Sequence, residues 1–214
     1  MIIISSSQKD VYVIYKGENI ITEKINGRSS GSKIVSKIKK IIDENGITLS
    51  EVNEFGIDVG PGSFTGIRIG IAVIQGLLFG RQNYSLKKFY SSDVMSYEFN
   101  TKKIAVINRA RDDAAYITLY DDGKRITEPK MVFVEELKRM IKDRVLIGEQ
   151  ANHFKNKYEL KNEIIVPSIE SENYIYAYNQ GQNIKAEDLE PLYIQKPIAV
   201  ENYEKQNNKT IDDI

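Results

Sequence analysis

Among the 214 residues of this chain, Gly60-Pro61-Gly62-Ser63-Phe64-Thr65-Gly66 has the spacing most suggestive of chemistry. It lies between a short β-type run, Phe55 to Val59, and a long apolar run of helical type, Ser63 to Gly80. Backbone N–H groups and the helix dipole at such a junction can receive an anion, with Gly60, Gly62, Ser63 and Thr65 as the receiving residues. The same residues also suit a tight turn whose glycines take positive φ and whose Ser63 or Thr65 caps the helix. Neither nucleotide fingerprint is complete, because the Lys-Ser/Thr pair of a P-loop and the G-x-G-x-x-G spacing are both missing. The remaining inventory is thin. The single histidine, His153, cannot supply paired metal ligands, and with no cysteine there is no thiolate nucleophile, thiolate metal site or disulfide. Asp112-Asp113 and Asp121-Asp122 are neighbours in strand or turn, where adjacent carboxylates diverge, and no serine sits in a G-x-S-x-G elbow. No metal, no intrinsic cofactor and no catalytic residue are therefore expected.

The helix after the glycine loop carries more information. Between Gly66 and Gly80 only Arg68 and Gln75 are polar, so this cylinder is either enclosed by its own domain or shared with a partner. Gly70 and Gly76 each cost about 1 kcal/mol of helix propensity. With Gly66 and Ala72 they permit close approach of another backbone. A partner face along this helix is expected, with Gly66, Arg68, Ile69, Gly70, Val73, Gly76 and Leu77 on it, and leucine at Gly70 or Gly76 should spoil that face while sparing the fold. Arg68 opposes the helix dipole and reads either as a partner ion pair or as a side chain snorkelling to water.

The elements that place these residues can be read in order. Ile2-Ile3-Ile4, Val11 to Tyr15 and Ile20 to Ile25 form three strands, the last two joined by a turn at Gly17-Glu18-Asn19. Ile34, Val35, Ile38, Ile41 and Ile42 then recur at helical spacing up to Gly46, with Ser29, Ser30 and Ser32 as candidate caps. Lys33, Lys37, Lys39 and Lys40 on that helix read either as a phosphate-contacting patch or as a solvated face. A similar order returns from about residue 102: Lys103 to Ile107, Ala115 to Tyr120, Ile126 to Phe133, a helix over Glu135 to Lys142, and a strand at Val145 to Ile147. The expected class is α/β with a duplicated β-β-β-α-β-α order, residues 1–100 and 101–200 forming two subdomains joined through Arg81 to Asn100, and residues 201–214 a polar tail. Thirty basic and thirty acidic side chains balance, which disfavours unaided nucleic-acid binding. The apolar run Ile69 to Phe79 is too short to span a bilayer, and no secretory signal is readable, so a cytoplasmic protein is expected.

Gly60-Pro61-Gly62-Ser63-Phe64-Thr65-Gly66-Ile67-Arg68-Ile69-Gly70 resembles the signature of the TsaB family, also called YeaZ, of bacterial tRNA threonylcarbamoyladenosine (t6A) biosynthesis. Ser50-Glu51-Val52 to Asp58, Gly76 to Gly80, Ala110-Arg111 with Tyr116 and Leu119-Tyr120, and Pro191 to Pro197 match in order, so the resemblance runs to about residue 200. It implies a two-subdomain fold of the actin/Hsp70/sugar-kinase type, also called ASKHA or ribonuclease-H-like. It further implies a non-catalytic subunit that binds and organises TsaD, the paralogue transferring threonylcarbamoyl to N6 of adenosine 37 in ANN-decoding tRNAs. TsaE would join through that complex, tRNA would be met indirectly, a homodimer would form without the partner, and a nucleotide could sit at the junction with the partner. The helices beginning near Ser32 and Ser63 would form the dimer face, which adds Lys33, Ile34, Lys37, Ile38 and Ile41 to the interface. The chain departs from the family where Ser5-Ser6-Ser7 replaces an Asp-Thr-Ser phosphate loop, where Ser29 or Ser30 replaces a histidine, and where Arg109 replaces an aspartate. The alternative is a weak nucleotide hydrolase or peptidase using the Gly60–Gly66 loop.

Overall fold

The computed structural model describes residues 1–27 and 31–194. Ser29 and Ser30, the Gln195-Lys196-Pro197 end of the C-terminal signature, and the 201–214 tail lie outside the described residues.

The chain runs β1 (Ile2–Ser5), β2 (Val11–Lys16), β3 (Ile20–Ile25), α1 (Gly31–Glu44), β4 (Glu54–Asp58), α2 (Phe64–Leu78), β5 (Ser85–Phe89), α3 (Ser91–Ser96), β6 (Lys103–Arg109), β7 (Ala114–Asp121), β8 (Lys124–Arg125), β9 (Lys130–Phe133), α4 (Val134–Met140), β10 (Val145–Ile147), α5 (Ala151–Tyr158), β11 (Ile164–Ile165), α6 (Ser171–Gln180) and β12 (Gln182–Asn183). The first sheet is ordered β12-β5-β4-β1-β2-β3 and the second β11-β10-β6-β7-β8, with β9 also on β7. In each, a central strand pairs antiparallel with its hairpin partner and parallel with the strand that follows the next helix. The expected duplication is therefore present, with the third strand of the second half divided between β8 and β9.

Alternation on β1 shows how the first sheet is covered on both faces. Ile2 and Ile4 pack with Ile34, Ile38, Ile41, Ile67, Ile71 and Ile74 of α1 and α2. Ile3 points the other way, toward Phe89, Tyr174, Ala177 and Tyr178. A run of three isoleucines with none of its surface exposed is what a central strand under two helical layers requires.

Two stretches differ from the sequence reading. The strand read over Ile126 to Phe133 is broken, because Pro129 has no N–H for the ladder and Thr127 turns its hydroxyl oxygen to the Leu119 amide (3.0 Å). The joining stretch 81–100 contains β5, whose Lys87-Lys88 pair hid its strand character, as well as the expected short helix. The chain also crosses back after the second sheet. α6 packs against the first sheet, β12 pairs with β5, and Leu192 N donates to Val59 O. Gln75, one of three polar residues on α2, holds this return by donating to Ala186 O (3.0 Å) and Leu189 O (3.3 Å). Among the described residues no helix is long and apolar enough to cross a membrane.

Candidate functional site

The glycine loop is built against the turn that leaves β1. Gly60 has φ +106°, open only to glycine, and the Ser63 hydroxyl oxygen accepts from Gly66 N (3.2 Å) as the cap of α2. Ser63 N donates to Ser7 O (2.6 Å). A Cβ on Gly62 or Gly66 would fall 2.0 Å from the carbonyl oxygen of Ser7 or Ser6. These glycines are thus consumed by contact within the chain.

Beneath the loop lies Asp58, fully buried, which accepts from the hydroxyls of Ser5 (2.7 Å) and Ser7 and from Gly60 N (2.9 Å). Ser5-Ser6-Ser7 carries no carboxylate of its own, and its hydroxyls at 5 and 7 turn inward to this one. Burial pushes Asp58 up from 3.8 to about 6, against the pull of those three donors. An unfolded chain ionises this group more readily, so its burial costs roughly 3 kcal/mol above pH 6. The cost disappears as pH falls from about 6 to 3.8, over which range this group makes the fold more stable. Asp58→Asn is expected to raise the urea midpoint at neutral pH and to lose that advantage near pH 4. Equal midpoints for the two proteins throughout would contradict it.

Helix α2 divides into two faces. Ile67, Gly70, Ile71, Ile74 and Leu78 are buried on the sheet side. Gly70, expected at a partner face, belongs here: its Cβ would meet Ser6 Oγ at 2.3 Å and Ile57 Cδ1 at 3.2 Å. Leucine at Gly70 would therefore strike the chain's own core, which corrects the expectation that it spares the fold. Gly66 is likewise withdrawn from the partner face by Ser6 O. Ile34, Ile38 and Ile41 are corrected in the same way, since all three are buried on the first sheet. Lys37 and Lys40 both bind Glu23 of β3 (2.7 and 2.5 Å), and Lys39 binds Asp43 (2.7 Å), so these lysines are engaged along the helix surface. Their hydrogen bonds, that from Lys37 foremost, hold Glu23 below the ordinary carboxylate range.

The outer face remains open. Ala72 and Gly76 are exposed, Phe79 is 91% exposed, and nothing lies within 4 Å of a Cβ placed on Gly76. Ile69 and Val73 are half-buried beside the start of α1, where a Cβ placed on Gly31 would lie 3.8 and 3.5 Å from their methyl groups, and Leu77 is half-buried further along. Lys33 is exposed on the neighbouring α1. Arg68 reaches the surface, one of the two roles read from sequence, where its guanidinium stacks 3.9 Å from the Phe64 ring centroid and donates to Tyr193 Oη (3.2 Å). Phe64, Arg68 and Tyr193 make an exposed aromatic–cation cluster at the head of the open face. Sequence reasoning missed Phe64, Phe79 and Tyr193. For Phe79 the signal was the helical period, since 68, 72, 76 and 79 fall away from 67, 71, 74 and 78.

Between the sheets lies a cleft of about 790 Å³ whose walls include Ser63, Thr65 and Gly66 from α2 and Asn108, Arg109 and Gln150 from the second half. Among the described residues no group of three histidines or carboxylates is placed to hold a metal ion. His153 Nε2 lies 3.0 Å from Asp112 O, beside Lys157, at the surface.

Residues 4–87 match a family model described as TsaD, tRNA N6-adenosine threonylcarbamoyltransferase. The tRNA threonylcarbamoyladenosine biosynthesis protein TsaB of Haemophilus influenzae is 34% identical over 76 residues, 36% of this chain and 32% of that protein. The Escherichia coli protein of the same name is 23% identical over 194 residues, 80% of this chain and 83% of that one. Solved YeaZ from Pseudomonas aeruginosa superposes with a TM-score of 0.74 at 20% identity, covering 90% of this chain and 98% of its own. The fold is α/β with two mixed sheets, and it is the fold of the solved YeaZ protein.

Proposed function

The chain is a relative of the TsaB (YeaZ) proteins, and from that premise we propose that it serves tRNA threonylcarbamoyladenosine biosynthesis as a non-catalytic subunit that docks TsaD through the open face of α2. The observation that carries this reading is the division of α2. One side completes the chain's own core, and the other leaves Ala72 and Gly76 bare beside half-buried Ile69, Val73 and Leu77. Small residues on an exposed, otherwise apolar helix let a second helix approach to backbone distance, while the Phe64–Arg68–Tyr193 cluster offers residue types that dominate binding energy at interfaces. A subunit of this kind acts by differential affinity for one state of its partner, without chemistry of its own. The same face would close a homodimer when TsaD is scarce. TsaE would then join through TsaD, tRNA would be met only through the complex, any nucleotide at the junction would be shared with TsaD, and the working compartment would be the cytoplasm. For the weak hydrolase or peptidase, the loop serine Ser63 is already engaged as a helix cap.

Gly76→Arg tests the reading, because it places a long charged side chain on the bare stripe at a position where a Cβ has nothing within 4 Å. The variant is expected to fold with thermal stability equal to or above the parent's, to lose capture of TsaD by at least about tenfold, and to lose support of t6A formation in a reconstituted reaction. Wild-type capture by a folded Gly76→Arg protein would refute the docking face.

A further inference from the structure

Arg68 is the one charged residue of α2, and folding does not account for it. Near the amino end of a helix the dipole disfavours a positive charge. From Val59 to Ser92 the chain has four basic residues, Arg68, Arg81, Lys87 and Lys88, and no acidic one, although its totals are equal. Arg81 donates to the carbonyls of Leu49 (3.1 Å) and Val52 (2.8 Å), and Lys87 lies over the Tyr178 ring. Among the described residues the partners of Arg68 are the Phe64 and Tyr193 rings and the Tyr193 hydroxyl, with no carboxylate.

Those partners hold the guanidinium without saturating it. Stacking on Phe64 occupies one flat face, and Tyr193 Oη accepts from one of the five N–H donors, so the rest of the fork is left at an exposed position. Tyr193 is itself fixed, because Leu192 N donates to Val59 O (3.1 Å) and Gln75 ties residues 186 and 189 to α2. A cation whose side chain is already ordered loses little further freedom on pairing. Ala72, one turn along the same stripe, and Gly76 beyond it give a second helix room to bring a carboxylate within reach.

We propose that Arg68 determines the specificity of the docking face by forming a two-pronged ion pair with a carboxylate on the partner's facing helix. The proposal rests on the reading that TsaD docks on α2, and it fixes the chemistry of the partner surface: an apolar helix with small residues and an acidic side chain toward one end. A second copy of this chain answers that description poorly, since a two-fold contact brings the same patch from each side and α2 contains no acidic residue.

Binding of TsaD to the full chain at about 0.05 M and about 0.5 M salt tests this with Arg68→Met, Arg68→Lys and Arg68→Glu. Methionine keeps an apolar stem over Phe64 at an exposed position, so thermal stability should match the parent's. At low salt Arg68→Met is expected to weaken binding about tenfold or more, and its remaining affinity should respond less to salt than the parent's. Lysine should recover little of the loss, because an ammonium has no planar fork. Arg68→Glu should abolish capture, and replacing one acidic surface residue of TsaD by lysine should restore it. Parent-like binding by Arg68→Met, a loss whose salt response matches the parent's, or restoration by none of the lysine replacements would each overturn the ion pair. Gly76→Arg separates the two readings: if it blocks capture while Arg68→Met does not, the docking face stands and the role of Arg68 falls.

Discussion

Alanine at Gly66 is expected to lower folding stability by about 3 kcal/mol, whereas alanine at Gly76, ten residues along the same helix, is expected to raise it by up to about 1 kcal/mol. Both changes add one methyl group and improve helix propensity. At Gly66 the methyl would lie 2.0 Å from the backbone carbonyl oxygen of Ser6, and a backbone atom at the end of the central strand cannot rotate aside. Relief requires moving either α2 or the β1 turn, which also carries the Ser7–Ser63 backbone hydrogen bond and the Asp58 cluster. At Gly76 the methyl meets nothing within 4 Å, so only the propensity gain remains. Urea unfolding of both variants checks the pair. A shift of the same sign in both would show that the two faces of α2 have been misassigned. Gly70 falls between these extremes, since alanine there meets first a serine hydroxyl able to turn, but leucine also reaches Ile57.

The second large effect is expected at Arg125→Met. Asp93 of α3 is nearly enclosed, accepts from both Arg125 Nη1 (3.0 and 2.9 Å) and Tyr120 Oη (2.7 Å), and so binds the connector between the sheets to the second sheet. Burial lifts the Asp93 carboxyl above its usual range even with Arg125 beside it. Removing the arginine leaves an uncompensated carboxylate in the interior, a change that costs about 3–5 kcal/mol. The sign with pH follows: the folded pKa rises further above 3.8, so the loss is complete at alkaline pH and shrinks as the medium is acidified through that raised value. Adding Asp93→Asn to Arg125→Met should recover part of the stability at pH about 8, where the charge penalty is complete. No recovery would assign the loss to packing of Arg125 on the Tyr90 ring, 4.7 Å away.

Much of this architecture was legible because period and punctuation agreed. Three consecutive isoleucines, a Gly17-Glu18-Asn19 turn and the Ile34–Ile38–Ile41 spacing each specify one element, and the structure places all of them as read. Residues 171–194 were not legible in the same way. Ser171 to Gln180 contains tyrosines and asparagines in place of an aliphatic stripe, and its helix is held by Tyr174, Ala177 and Tyr178 packing on a sheet formed more than 80 residues earlier. Glycine posed the opposite difficulty at the site. Gly66, Gly70 and Gly76 read alike as points of close approach, but what approaches is set by the third dimension: a carbonyl oxygen, a serine hydroxyl, and open space. Asp58 was passed over because a lone acidic residue at a strand end carries no local sign that two serines from another strand will point at it.

The return of the chain at β12 bears on biosynthesis. Gln75 and the edge of β5 receive their cover from residues 182 to 189, so the first sheet stays unfinished until those residues have left the ribosome. The edge of β5 must wait bare during translation, and completion of the first sheet is therefore timed by this returning segment.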